Sequence, residues 1–150
     1  MNEMMRKSAI ALAGSLVVFA AACSAGQVPL PSGAPPALTK AITVTEGDMY
    51  LRPSTTTVAS GKVTFTVTND GQMDHEFVIV TGDPSGTTGD EPGRVSEAAH
   101  IGGAEGPEVG NVNPGQTKTL TAQLKPGTYT AMCNLPGHFG AGMDFQFIVE

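Results

Sequence analysis

The chain has no tryptophan, two cysteines, three histidines and eight basic side chains against fourteen acidic ones in 150 residues. The shortage of basic residues excludes nucleic acid as a partner and leaves an acidic surface suited to a basic protein. Two cysteines permit one disulfide at most. Aromatic residues make up 5% of the chain, so any core must be built from Val, Ile and Leu with a few Phe. No apolar run is long enough for a comfortable membrane span; the longest, residues 9–22, has the length of a signal-peptide h-region. The length suits one domain with some extra chain.

That extra chain lies at the start. Arg6 and Lys7 precede the apolar run, which ends in Ala20-Ala21-Ala22-Cys23. This is a secretory signal over residues 1–22. A cysteine after small residues resembles a bacterial lipobox, which implies that Cys23 is acylated and becomes the mature N-terminus. Ala20 stands where such boxes usually have Leu, and the same alanines suit an ordinary signal peptidase that would leave Cys23 free. Removal of residues 1–22 leaves six basic and thirteen acidic residues, a net charge of about −7. Residues 23–40 hold the anchor site and a spacer with four prolines and few charges, too poor in apolar periodicity to pack. The domain proper is expected over residues 41–150.

Within that domain the patterning is strand-like. Residues 62–68 alternate apolar and polar, and Leu120, Ala122 and Leu124 repeat the alternation. Tyr129, Ala131 and Cys133 share one face, as do Met143, Phe145, Phe147 and Val149. Residues 75–80 are apolar on both faces after the first pair, as in a strand covered on both sides. Residues 43–51 and 55–58 are weaker strand candidates. Turn signals at Asn69-Asp70-Gly71, Asn113-Pro114-Gly115 and Lys125-Pro126-Gly127 separate these runs. The pattern predicts an all-β, Greek-key β-sandwich of about six to eight strands. Residues 82–110, rich in Gly, Pro and acidic side chains, read as a long excursion between strands, with a possible helical turn over residues 94–101.

One short loop concentrates unusual chemistry. Cys133, His138 and Met143 lie at five-residue intervals, with Leu135-Pro136-Gly137 turning the chain before the histidine. A thiolate and an imidazole with a weakly bonding thioether form a donor set that favours copper. Such a site usually takes a second imidazole, and His75, at the head of an apolar strand, can supply it. His100 has no partner at any ligand spacing, and Met49, Met73 and Met132 are too scattered for a methionine cluster. A Cys23–Cys133 disulfide is the bland alternative; it would tie the tether to the domain and remove the thiolate from any metal. Asp83, Asp90, Glu91, Glu97, Glu105 and Glu108 read as a solvated acidic face, with docking of a basic partner as the functional alternative.

The loop resembles that of the cupredoxins, the blue copper proteins, in their azurin-, auracyanin- and sulfocyanin-like branches. The resemblance covers essentially all of residues 41–150. It implies a cupredoxin-like sandwich holding one copper ion, with His75, Cys133 and His138 as equatorial ligands and Met143 as the weak axial one. It also implies backbone N–H groups donated to the thiolate, from Glu76 and Leu135, which raise the reduction potential. Glu76 stands where azurin-like proteins have Asn, which removes their side-chain bracing of the loop. Asp74 stands where azurins have a glycine whose carbonyl approaches the metal, so a fifth ligand is not carried over.

These features imply a one-electron carrier, not an enzyme, exported to the outer side of the cytoplasmic membrane or the periplasm, tethered through Cys23 and working as a monomer. Family partners include cytochromes and terminal oxidases. The rival is a copper scavenger or chaperone of the cell envelope, although no methionine- or histidine-rich tract is present. A nitrite-reductase-like enzyme needs a second set of histidines, and a dinuclear centre needs two bridging cysteines; the composition supplies neither.

Overall fold

Val63, Phe65, Val67 and Asn69 are buried at every second position of one strand, while Lys62, Thr64, Thr66 and Thr68 face outward. This two-residue period is what a half-buried strand requires, and it recurs along most of the domain. A computed structural model of the chain describes residues 36–96 and 108–150. Its elements are β1 (Ala41–Gly47), β2 (Tyr50–Pro53), β3 (Thr57–Val58), β4 (Gly61–Asn69), β5 (His75–Thr81), β6 (Glu108–Val112), β7 (Thr117–Leu124), β8 (Gly127–Met132), a 3₁₀ turn (Phe139–Ala141) and β9 (Asp144–Val149). Among the described residues no helix is long and apolar enough to cross a membrane. The chain clusters into two units, residues 1–35 and 36–150, and only the second contains described residues. The signal peptide, Cys23 and most of the spacer therefore lie outside the described residues, as do His100, Glu97 and Glu105.

Two sheets form the sandwich, in the orders β2-β1-β4-β7 and β3-β9-β8-β5-β6. The chain changes sheet five times between β2 and β8. These crossings make β1 and β4 parallel neighbours, and likewise β3 and β9, in otherwise antiparallel sheets. The sandwich is all-β as expected, with nine short strands among the described residues instead of six to eight. Two local causes account for the difference. Residues 43–51 are not one strand: Met49 adopts φ 65°, and the resulting turn folds β2 back on β1 with Gly47 opposite Tyr50. Residues 108–112 carry little apolar periodicity, yet they pair with β5 as an edge strand with a bulge between His75 and Phe77. Arg94–Ser96 is not helical, so the described part of the possible helical turn has no regular secondary structure.

Between the sheets lies a core in which Phe65 meets Phe77 and Phe147 at ring separations of 5.5 and 5.6 Å. Cys133 and Met143 belong to the same buried cluster. The residues facing the opposite side of β5, Val78 and Val80, are also fully buried, under Val95 from the excursion together with Met132 and Phe139. β5 is thus covered on both faces, as its continuous apolar run predicts. The Tyr129 hydroxyl donates to the Lys125 carbonyl (2.9 Å) and accepts from the Lys125 N–H (3.2 Å), pinning the turn between β7 and β8. The Cys133 N–H donates to the Met143 carbonyl at 3.0 Å, closing the mouth of the β8–β9 hairpin at one end of the sandwich.

Candidate metal centre

Three short segments meet at this end: the loop before β5, the loop between β8 and β9, and the turn between β1 and β2. Asn69, buried at the last position of β4, organises the first. Its Nδ2 donates to the carbonyls of Met73 and Val112, both at 2.7 Å, and its Oδ1 accepts the Gly71 N–H at 2.8 Å. Asp48, in the β1–β2 turn, accepts the N–H groups of Gln72 (2.9 Å) and Met73 (3.2 Å). A Cβ at Gly71 would lie 2.4 Å from Asp48 Oδ1, so only glycine permits this approach. Asn113 Nδ2 donates to Asp74 Oδ1 at 2.9 Å, fixing the residue before His75.

The second loop has its own internal frame. Pro136 and Gly137 occupy the centre of a turn closed by the His138 N–H on the Leu135 carbonyl (2.9 Å), with Gly137 at φ 83° as a type II turn requires. The turn directs His138 back toward Cys133. A 3₁₀ turn then leads to Gly142 at φ 93°, and the Met143 N–H donates to the His138 carbonyl at 3.1 Å. Met143 is thereby bonded through its backbone to both other members of the loop, and its side chain is fully buried.

The donor atoms of His75, Cys133 and His138 form a tight triangle. Sγ of Cys133 lies 3.3 Å from His138 Nδ1 and 3.9 Å from His75 Nδ1, and the two Nδ1 atoms are 3.3 Å apart. A circle through three points so spaced has a radius of about 2.0 Å, close to metal–nitrogen bond lengths and slightly under metal–thiolate ones. The triangle therefore fits one ion. Both imidazoles present Nδ1, which leaves Nε2 as the proton-bearing nitrogen. For His75 that atom is buried without a hydrogen bond, 3.7 Å from the Asp48 carboxylate. The carboxylate thus faces the ring without accepting a hydrogen bond from it and acts on His75 through its charge. Burial and the neighbouring His138 push the His75 pKa down, which keeps the ring neutral and able to bind a metal. His138 is the partly exposed member of the set, while His75 and Cys133 are fully buried.

Comparison with known proteins agrees with the donor set. Residues 38–150 match the family described as copper binding proteins, plastocyanin/azurin family. The chain belongs to this family of copper-binding proteins. It is 29% identical over 111 residues to a protein of Rubrivivax gelatinosus named copper-resistant cuproprotein CopI; the match covers 68% of this chain and 61% of that relative's length. The fold is similar to a reduced auracyanin from the photosynthetic bacterium Roseiflexus castenholzii, with a TM-score of 0.58, 21% identity and coverage of 75% of this chain and 98% of that one. It is also similar to an azurin, Az-iso2, from Methylomonas sp. strain J, with a TM-score of 0.52, 21% identity and coverage of 73% and 97%.

In this plastocyanin/azurin-family chain, His75, Cys133, His138 and Met143 are positioned like a type 1 copper site. The surroundings of the thiol set its chemistry. The Glu76 N–H points at Cys133 Sγ from 3.4 Å, and the Leu135 N–H also donates to it. Burial pushes the Cys133 thiol up to about 11, and the two N–H groups only partly oppose this. Without metal the group is therefore a thiol at neutral pH, and copper must displace its proton on binding. Raised affinity at higher pH is built into such a site.

Five residues near the centre were not singled out by sequence reasoning: Glu46, Asp48, Asn69, Arg94 and Asn134. Asn69 lies in the Asn69-Asp70-Gly71 turn signal, Asp48 within the strand candidate of residues 43–51 and Arg94 at the start of the possible helical turn; none of these readings points to the site. Glu46 is the most unusual. It is fully buried on the inner face of β1, neither carboxyl oxygen has a hydrogen-bond partner, and its charge is felt at Cys133. Burial, with a smaller contribution from Glu76, raises its pKa from 4.5 to about 8. The folded state therefore holds a proton that the unfolded chain releases between these values. The corresponding stability is present below about pH 4.5 and is lost as pH rises through about 8. Denaturant unfolding of the copper-free protein is expected to show this decline, on the order of a few kcal/mol, and Glu46→Gln to flatten it. An identical slope in the variant would show that Glu46 is not the group responsible.

Proposed function

We propose that the protein is a one-electron carrier in which one copper ion, held by His75, Cys133, His138 and Met143, alternates between Cu(I) and Cu(II). The observation that carries this reading is the donor triangle, framed by hydrogen bonds that do not depend on a metal: Cys133 to Met143, Met143 to His138, and the Glu76 N–H to the Cys133 sulfur. A site so fixed offers soft thiolate and borderline imidazole donors in an arrangement that neither oxidation state can impose for itself. The buried Met143 side chain supplies the weak fourth contact that tunes the couple. His138 supplies the way out: it is partly exposed and flanked by the exposed residues Pro136, Gly137 and Ala141, with partly buried Phe139 beside them. These small and apolar side chains form the surface on which a redox partner would dock.

Exposed acidic side chains favour a basic redox partner, such as a cytochrome or a terminal oxidase. Asp83, Asp90, Glu91 and Glu108 are exposed, and long-range attraction of this kind raises association rates most at low salt. We place the protein outside the cytoplasmic membrane, monomeric and tethered through a lipidated Cys23, on the strength of the signal peptide and lipobox-like residues. The proline-rich spacer of residues 23–40 would let the domain reach its partner from that anchor. An enzymatic role would call for a further set of ligands, and two of the chain's three histidines are already assigned here.

The relative named as a copper-resistant cuproprotein favours a second reading, in which the same site sequesters copper in the cell envelope. The two readings differ in what the site must do: a carrier must exchange electrons reversibly without releasing the ion. Reversible voltammetry with copper retained through repeated cycles supports the carrier; tightly held copper that gives no reversible couple supports sequestration.

Copper(II) added to the purified protein is expected to give an intense visible thiolate-to-copper absorption, and Cys133→Ser to abolish it. Retention of the colour in that variant would show that another residue binds the metal. Met143→Leu is expected to keep the colour and raise the reduction potential, because it removes only a weak donor that favours the oxidised ion. An unchanged potential would exclude Met143 as a ligand.

A further inference from the structure

We infer that Gly93, Arg94 and Val95 form a clamp that holds the two copper-ligand segments, the head of β5 and the β8–β9 loop, in register, with Arg94 and Asn134 as its positioning residues. Each of these three consecutive residues reaches a residue adjacent in sequence to a ligand. The Gly93 carbonyl accepts the N–H of Gly137, which precedes His138, at 2.9 Å. Arg94 Nη1 donates to Oε1 of Glu76, which follows His75, at 3.0 Å. Val95 exchanges two hydrogen bonds with Asn134, which follows Cys133: its N–H donates to Oδ1 at 2.9 Å, and its carbonyl accepts from Nδ2 at 3.0 Å. The clamp thus touches every equatorial ligand through one intervening residue and no ligand directly.

Several features show that the contact is built and not incidental. Asn134 is 2% exposed, so a side chain that failed to satisfy Val95 would leave buried polar groups unpaired on both sides. A Cβ at Gly93 would sit 2.9 Å from the Gly137 nitrogen, and Gly93 has φ 84°; only glycine gives this close backbone approach. Arg94 is held from its other side by Glu91 Oε2 at 2.9 Å, which fixes the guanidinium fork over Glu76. Val95 is anchored in the apolar layer with Val78, Val80 and Met132. The Glu76 backbone that Arg94 steadies is the one whose N–H points at Cys133 Sγ.

The consequence is mechanical. The β8–β9 loop and the head of β5 belong to different parts of the chain, and at the site the Glu76 N–H on Cys133 Sγ joins them. Residues 93–95 cross-link them from outside, so the donor triangle is held before copper arrives and between its oxidation states. This inference rests on the copper reading given above, but its first test does not require copper.

In the copper-free, full-length protein, amide hydrogen exchange at Val95, Gly137 and Glu76 is followed by NMR in wild type, Asn134→Ala, Arg94→Ala and Arg94→Lys. The clamp predicts that Asn134→Ala speeds exchange at Val95 and also at Gly137 by about tenfold or more, with core amides such as Phe65 and Ile79 unchanged. Arg94→Ala, a partly exposed change that the fold should tolerate, is expected to loosen Glu76 and Gly137, and Arg94→Lys to restore Glu76 in part. In the copper-loaded proteins, transfer of copper to a chelator should accelerate in the same order. Loosening confined to Val95, with Gly137 and copper release unchanged, would overturn the inference and reduce the segment to a covering loop. Should Asn134→Ala fail to fold, the Arg94 pair decides the matter by the same measurements. If wild type gives no coloured copper complex, the copper reading fails, while the exchange coupling still stands or falls by itself.

Discussion

The Glu76 N–H aimed at the Cys133 sulfur is the contact on which this end of the molecule depends. It joins β5, which begins with one histidine, to the loop that carries the cysteine and the other histidine. For a backbone amide to reach that sulfur, β5 must pair with β8 and the cysteine must fall one residue beyond the ladder, where Met132 is the last paired residue. The register of the two central strands therefore fixes the distance between His75 and Cys133. A slip of one residue in β8 would turn Cys133 out of the core and away from His75. Fold and site are specified by the same set of hydrogen bonds.

The metal-binding end accumulates polar groups that a sandwich core would ordinarily avoid. His75, Glu46, Asn69 and Asn134 are all buried there. Asn69 and Asn134 stabilise loops by satisfying backbone groups that would otherwise be orphaned, which is the usual reason for burying an amide. His75 leaves one nitrogen facing a carboxylate too distant for a hydrogen bond, consistent with an imidazole whose other nitrogen is reserved for a metal. Glu46 has no such account in hydrogen bonds. Its neutral form is what the core tolerates, so at neutral pH burial keeps it from adding a negative charge inside the sandwich.

Much of this was legible in the sequence because it is local. Strand alternation over residues 62–68, the Pro136-Gly137 turn and the spacing from Cys133 to Met143 each express a rule that operates over a few residues. His75 could be added because it opens an apolar strand after a polar loop. The parts that were not legible are those decided by distant partners. The break between β1 and β2 depends on a left-handed Met49, a conformation its side chain does not advertise. β6 has almost no apolar face and forms because β5 offers it an edge. Arg94 and Asn134 look like ordinary loop polar residues until the excursion folds back across the ligand segments and gives each a partner. The substitution of Glu76 for the Asn of azurin-like loops shows the same limit. It removes one brace in sequence terms, and the structure supplies Arg94 as another.

The central claim is that the polypeptide holds one mononuclear site in shape before copper occupies it. Crystal structures of the copper-free and copper-loaded protein test this most directly. The account predicts one copper ion bonded to His75 Nδ1, Cys133 Sγ and His138 Nδ1, with those atoms and the Gly93–Val95 contacts nearly unmoved between the two forms. A copper ion bound elsewhere, or a ligand loop that refolds when copper enters, would contradict it.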